Sequence, residues 1–263
     1  MFHKPKKSLG QNFLIDKNII KKIIDIGNIS SNDSILEVGP GTGNLTEYII
    51  NKKPKKIFVI EKDEILVKDL HNKFGKKLNI LKGDILKQDQ SILSDEKLIV
   101  FGNLPYNISS QILCKWIIDI NKNLWYKKLI LMFQKEVADR ILADSNSKNY
   151  SRISIITNWG LNVKKEFDLN PKCFKPSPKV ESTLLSFTPK KNIFFLKNPK
   201  NLEKITKIFF SQRRKMIKKP LKQIFKDESI IKNNLKIDLN LRPENLDPHT
   251  YFIITKEFEK LIN

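Results

Sequence analysis

The sequence predicts an α/β protein: a mostly parallel sheet with helices on both faces, followed by a small all-helical C-terminal domain. Three observations predict it. From residue 34 onward, short and nearly continuous apolar runs alternate with amphipathic stretches, as in strands buried on both faces and joined by helical crossovers. A glycine-rich turn, Gly39-Pro40-Gly41-Thr42-Gly43, joins the first of these runs to the first amphipathic stretch. After about residue 198 the alternation stops, and apolar residues recur at spacings of three and four.

The runs SILEV (34–38), KIFVIE (56–61), LNILKGD (78–84), KLIVFGN (97–103) and KKLILMFQ (127–134) read as buried strands. Helices are expected between them near 45–51, 63–74, 109–120 and 134–144. NVKKEFDL (162–169) and ESTLLSFT (181–188) read as later strands separated by the proline-rich KCFKPSPKV. Two strands with no helix between them suggest an antiparallel hairpin at a sheet edge. NLEKITKIFFSQ (201–212), MIKKPLKQIF (216–225) and YFIITKEFEKLI (251–262) read as helices. A boundary near TPKKN gives two domains: 1–190, bearing the chemistry, and a helical 191–263.

Composition limits the function. With 263 residues the chain can bury a proper core. It has no run of eighteen or more apolar residues, so no membrane span is expected. The basic start, MFHKPKKSLGQNFL, lacks the apolar stretch of a secretion signal, and a cytoplasmic location is expected. Cys114 and Cys173 form no CxxC pair, so neither a disulfide framework nor a cysteine zinc site is expected. The cysteines and the three histidines are assigned to core or surface, and no metal is expected. The formal net charge of +21 suggests a polyanionic partner, nucleic acid before membrane. Charge alone does not decide this, because 44 lysines against 5 arginines is the composition that A/T-rich coding produces everywhere along a chain. Its distribution says more. Residues 190–263 carry a net +10 over 74 positions, whereas residues 1–189 carry +11 over 189. Two of the arginines lie together there, in Arg213-Arg214-Lys215, a cluster suited to RNA phosphates.

The sharpest local feature is Glu37-Val38-Gly39-Pro40-Gly41-Thr42-Gly43. Glycines between a strand and a helix permit a tight turn and close approach of a ligand to the backbone. A dinucleotide fingerprint would need glycine at position 44, where Asn44 stands, and a phosphate-binding loop would need Gly-Lys-Ser/Thr, which is absent. Glu61 ends the second strand, twenty residues after Gly41, where a carboxylate can accept both hydroxyls of a ribose. Asp84 ends the third and can read an adenine amine. Together, at the carboxyl ends of three successive strands, these features resemble the class I S-adenosylmethionine-dependent methyltransferases with their Rossmann-like sheet.

The fourth strand runs into Asn103-Leu104-Pro105-Tyr106. An aromatic amine such as adenine N6 is a poor nucleophile because its lone pair is delocalised into the ring. Acceptors that favour the tetrahedral amine would help it, and the Asn103 side-chain oxygen and the Leu104 carbonyl can supply two. Pro105 fixes the backbone, and Tyr106 can stack on the base. Neither a metal nor a covalent enzyme intermediate is needed; positioning and electrostatics suffice. The tetrapeptide resembles the (Asn/Asp)-Pro-Pro-Tyr motif of amino-group methyltransferases, and leucine in its second position points to the rRNA adenine dimethyltransferases.

Further segments are similar to the ribosomal small-subunit RNA adenine dimethyltransferase family, in family order: Lys7-Ser8-Leu9-Gly10-Gln11-Asn12-Phe13-Leu14, Gln134-Lys135-Glu136-Val137-Ala138, Tyr150-Ser151-Arg152-Ile153-Ser154, Phe174-Lys175-Pro176-Ser177-Pro178-Lys179-Val180 and Phe210-Ser211-Gln212-Arg213-Arg214-Lys215. The resemblance runs from about residue 4 to the end. It implies that Asn12, Leu14, Gly39, Glu61, Asp84 and Asn103 lie on the methyl donor, S-adenosylmethionine, with Gly41 in the same loop. It implies that Asn103, Leu104, Pro105 and Tyr106 serve the target amine and that Phe174 is a second aromatic opposite Tyr106 on the base. The implied substrate is a pair of adjacent adenosines in the 3′-terminal hairpin of small-subunit rRNA, within a pre-assembled subunit late in assembly. A monomer is expected. Ser110 and Phe133 depart from the residues common in the family, conservatively. The alternatives are the large-subunit branch that confers macrolide resistance, an adenine-N6 DNA methyltransferase, and a non-catalytic assembly factor. Gly10 and Pro40 favour the small-subunit branch, and retention of both Glu61 and the tetrapeptide disfavours a factor that has lost its chemistry.

Overall fold

The structure, a computed structural model, describes residues 5–6, 9–226 and 230–262. Lys7 and Ser8 of the amino-terminal segment lie outside the described residues. The chain divides into two compact units. One comprises Met1–Lys115, Ile120–Ala138 and Val163–Pro189; the other comprises Trp116–Asp119, Asp139–Asn162 and Lys190–Asn263. Asp139–Asn162 thus groups with the C-terminal helices that follow residue 190.

The first unit is built on a seven-stranded sheet. Its strands are β2 (Ser34–Val38), β3 (Lys56–Glu61), β4 (Asn79–Lys82), β5 (Leu98–Gly102), β6 (Tyr126–Gln134), β7 (Leu161–Leu169) and β9 (Ser182–Pro189), in the order β4-β3-β2-β5-β6-β9-β7. The pairs β2–β3, β2–β5, β3–β4 and β5–β6 are parallel, and β9 returns antiparallel to β6. The order reverses between β3-β2 and β5, the switch point at which open α/β sheets bind ligands. All five residues of β2 and of β5 are buried, as strands covered on both faces must be. The later pair takes the predicted edge, with β7 outermost.

The crossover helices are α2 (Asn44–Asn51), α3 (Glu64–Phe74) and α4 (Ser109–Ile118); α5 (Lys135–Ile141) follows β6. A helix and a ribbon of this unit were not foreseen. Helix α1 (Lys17–Gly27) starts at the Asp16 cap, whose carboxylate accepts from the N–H groups of Asn18 and Ile19. It buries Ile20, Ile23 and Ile24, each worth roughly 1.5–3 kcal/mol of apolar transfer. A two-stranded ribbon pairs β1 (Phe13–Leu14) with β8 (Phe174–Lys175), Leu14 opposite Phe174. Both of those side chains join the core with Ile35, Phe101 and Met132.

In the second unit, α6 (Arg152–Gly160), α7 (Lys200–Phe210) and α9 (Pro248–Leu261) pack on one another, with α8 (Lys218–Ile224) against α7. Trp159, Phe209 and Tyr251 are essentially fully buried. Glu259 of α9 is buried and accepts from the backbone N–H groups of Lys197 and Asn198, both at 2.8 Å, and from the Asn201 side chain at 3.2 Å. That carboxylate ties α9 to the chain leading into α7. Among the described residues no helix is long and apolar enough to cross a membrane.

Candidate active site

Strand register brings the predicted residues together. Val38 pairs with Ile60 on one side and Gly102 on the other, and Glu61 pairs with Lys82. The turns that begin at Gly39, Lys62, Gly83 and Asn103 therefore leave one sheet edge side by side. Two backbone bonds carry the ladder past the strands: Gly39 N–H donates to the Ile60 carbonyl at 3.0 Å and Gly83 N–H to the Glu61 carbonyl at 2.9 Å. Between the turns lies a cavity of about 180 Å3. Glu61, Asp84, Asn103 and Tyr106 line it, with Ile60, Leu66, Ile85 and Leu86 as its apolar wall.

The glycines are required by geometry. Gly39 and Gly41 have φ of +68° and +57°, which L side chains rarely adopt. A Cβ on Gly41 would also lie 2.6 Å from the Phe13 ring, so the amino-terminal segment packs directly on the loop. Glu61 is 6% exposed. One carboxylate oxygen accepts from Gly41 N–H at 3.2 Å, and the other from the N–H groups of Lys62 and Asp63, both at 2.8 Å. Burial raises its pKa against the pull of these bonds. Asp84 accepts from Leu86 N–H at 3.0 Å and from Lys62 Nζ at 2.9 Å, and the ammonium holds its carboxyl below the usual range.

The tetrapeptide is oriented from both sides. Asn103 Nδ2 donates to the Asn12 carbonyl at 2.7 Å, which commits the amide nitrogen and turns Oδ1 the other way. The Pro105 carbonyl accepts from the N–H groups of Ile108 and Ser109, and the Tyr106 carbonyl from the Ser109 hydroxyl, so both are used in the turn into α4. The Leu104 carbonyl accepts no such bond among the described residues, while the Leu104 side chain is buried and anchors the turn. The Tyr106 hydroxyl lies 2.6 Å from that of Ser182 on β9, which anchors the tip of the half-buried ring. Asn103 and Leu104 line the cavity, so Asn103 Oδ1 and the Leu104 carbonyl can serve there as two acceptors.

Other predicted residues fall elsewhere. Leu14 is buried, and its carbonyl accepts from Asn44 Nδ2 at 2.8 Å; it lines a small second cavity of about 30 Å3 with Glu37, Gly39 and Asn103. Phe174 is 3% exposed, sits in the core cluster with Leu14, to which it is paired in the ribbon, and lines neither cavity. Arg213 is engaged inside its own unit: Nε donates to Glu244 at 2.8 Å and a terminal nitrogen to the Lys148 carbonyl at 2.6 Å. Arg214 and Lys215 are exposed. The sequence reading missed Glu37 as a buried acid, Ser182 and Asp63. Asp63 had one legible signal, an acid directly before the α3 helical pattern. Among the described residues no group of three or more His, Cys, Asp or Glu is placed to hold a metal ion.

Known proteins share this arrangement. The chain is 58% identical over 261 residues to a ribosomal RNA small subunit methyltransferase A of Pelagibacter ubique (strain HTCC1062), covering 99% of each chain. It is 40% identical to the protein of that name from a Wolbachia of Drosophila simulans, over 98% of this chain and 95% of the other. Among solved structures, a dimethyladenosine transferase from Plasmodium falciparum superposes with a TM-score of 0.77 at 28% identity, over 94% of this chain and 98% of that one. The 23S rRNA methyltransferase ErmE shares the fold, with a TM-score of 0.67 at 20% identity over 96% and 100% of the two chains. The description "Ribosomal RNA adenine dimethylase" matches residues 2–260, and the chain belongs to that family, whose members are S-adenosylmethionine-dependent methyltransferases.

Proposed function

We propose that this protein dimethylates N6 of two adjacent adenosines in the 3′-terminal hairpin of small-subunit rRNA, acting on a pre-assembled subunit late in assembly. The observation that carries the chemistry is the bond from Asn103 Nδ2 to the Asn12 carbonyl, which leaves Oδ1 as an acceptor at the rim of the Glu61–Asp84 cavity. Relatives named for the small subunit, at 58% and 40% identity over nearly the whole chain, support that choice of substrate.

The residues present fit S-adenosylmethionine. Glu61 offers a buried carboxylate for a ribose, Asp84 an acceptor for the adenine amine, and the loop an open backbone at Gly39, with the Phe13 ring packed over Gly41. When bound, the donor supplies an electrophilic methyl group. Asn103 Oδ1 and the Leu104 carbonyl accept from the N–H bonds of the target amine, two in the first transfer and one in the second, and draw its lone pair out of conjugation; each methylated amine then loses one proton to solvent. Tyr106, held by Ser182, stacks on the base. Tyr106 lines the cavity and makes the first contact, and Phe174, buried in the core, is the second aromatic of this proposal. A hairpin base costs less to extrude than one inside a duplex. Within this proposal residues 1–190 hold donor and base, 191–263 grip flanking RNA through exposed cations such as Arg214 and Lys215, and the protein works as a cytoplasmic monomer.

The test is transfer of labelled methyl from S-adenosylmethionine to small subunits lacking N6 methylation, with nucleosides resolved by chromatography. N6,N6-dimethyladenosine in small-subunit RNA is expected. Label confined to large-subunit RNA would move the protein to the resistance branch. No label, with donor binding intact, would make it an assembly factor.

A further inference from the structure

We propose that Asp63 is a positioning residue that fastens the amino-terminal segment against the donor cavity and so sets how long the donor stays bound. The proposal rests on reading that cavity as the donor site. Asp63 follows β3 by two residues and caps α3, one oxygen accepting from Ile65 N–H at 3.1 Å. A cap needs nothing more. Yet the Asp63 carboxylate is wholly buried, and what covers it comes from the far end of the sequence: Lys6 Nζ at 2.8 Å and Gln11 Nε2 at 3.0 Å. Burial alone would raise its pKa; the bonds to Lys6, Gln11 and Ile65 outweigh that and hold it low, so the group is an anion. Its own N–H donates to Glu61 at 2.8 Å, so the same residue touches the ribose acid.

The segment that begins at this tie lines the cavity. Gln11, Asn12 and Phe13 face it together with Glu61 and Asp84. Its other end is secured independently, by the β1–β8 ribbon and by the Phe13 ring on Gly41. Asn12, which orients Asn103, adjoins that second hold. Cutting the tie at Asp63 therefore releases Lys6 and Gln11 while the Asn12 carbonyl stays in place. The donor would then have to order the segment as it binds, and that cost falls on affinity.

The experiment compares wild type, Asp63→Asn, Lys6→Met and the double variant. Asparagine keeps the shape and the cap of Asp63 but loses the charge. Lys6 is nearly half exposed, so methionine there opens no cavity, and urea unfolding of each variant confirms that it is folded under the assay conditions. S-adenosylmethionine affinity is read by calorimetry, its dissociation by stopped flow, and kcat and donor KM on undermethylated small subunits. Asp63→Asn is expected to raise Kd and donor KM about 10-fold, mainly through faster release, with kcat within about two-fold; Lys6→Met should raise Kd about three-fold. The double variant should be no worse than Asp63→Asn, because both changes cut one tie. An unchanged Kd in both single variants, a fall in kcat at unchanged Kd, or fully additive effects would each overturn the proposal. If Asp63→Asn fails to fold, an unchanged Kd in Lys6→Met alone overturns it. Wild-type protein that is folded but does not bind the donor would sink the donor-site reading as well, whereas wild-type binding matched by both variants sinks only the tie.

Discussion

Glu37 opens the glycine loop and is 2% exposed, with the Thr46 hydroxyl donating to it at 2.6 Å. Burial pushes its carboxyl up to about 8; the Thr46 bond pulls it down and the neighbouring Glu61 charge pushes it further up. The unfolded chain returns it to about 4.5. Between those two values the folded protein holds a proton that the unfolded chain has lost, so stability falls as pH rises through the window. The slope from this one group reaches ~1.4 kcal/mol per pH unit, and from pH 5 to pH 7 the loss accumulates to ~2–3 kcal/mol. Glu37→Gln keeps an oxygen for Thr46, mimics the neutral acid and cannot ionise. Its stability relative to wild type should therefore grow by ~2–3 kcal/mol over that interval. Urea unfolding followed by circular dichroism, at half-unit pH steps, measures the difference directly. Parallel curves for the two proteins, offset by a constant amount, would refute the reasoning, because a group that is ionised in both states or neutral in both cannot link folding to pH.

Further expectations concern the site. Asn103→Ala should cut methyl transfer by about 100-fold or more while RNA affinity, read by filter binding, stays near wild type; loss of both together would make the residue structural. Gly41→Ala forces a side chain to φ +57° and drives its Cβ into Phe13, so donor affinity by calorimetry should drop about 10-fold, and an affinity within about two-fold of wild type would mean that loop and segment need not touch. RNA binding should weaken steeply with salt, and Arg214→Ala should lower the slope of log K against log salt by about one, whereas a flat dependence contradicts phosphate contact.

The sheet was legible because its strands are local: SILEV and LIVFG are mostly apolar and buried along their whole length, and Glu61 and Asp84 stand at or just past the ends of β3 and β4. Helix α1 was equally legible, through Asp16 and the spacing of Ile20, Ile23 and Ile24, but was not read. Helix α6 hides its period, since Ser154, Ile155, Ile156, Thr157, Trp159 and Gly160 are all buried and leave no polar stripe to contrast with an apolar one. What no local pattern carries is pairing across long separations. Phe174 is paired with Leu14, Arg213 is claimed by Glu244, and Asp63 is covered by Lys6 and Gln11. The tetrapeptide and Glu61 were found because chemistry restricts what can stand there; Ser182 was not, because a serine on a strand has many ordinary uses.

The pairing of Val38 with Gly102 gives the loop after β2 and the tetrapeptide after β5 a common starting line. A parallel ladder advances about 3.3 Å per residue, so a slip of one position would move the acceptor oxygens by about the length of a hydrogen bond and turn every side chain of the strand to the opposite face. The gap that a methyl group must cross is thus ruled by the sheet itself. Substitutions in the loops can change how tightly either partner is held, but the span between them is graduated in whole residues, and evolution has no fractional step with which to adjust it.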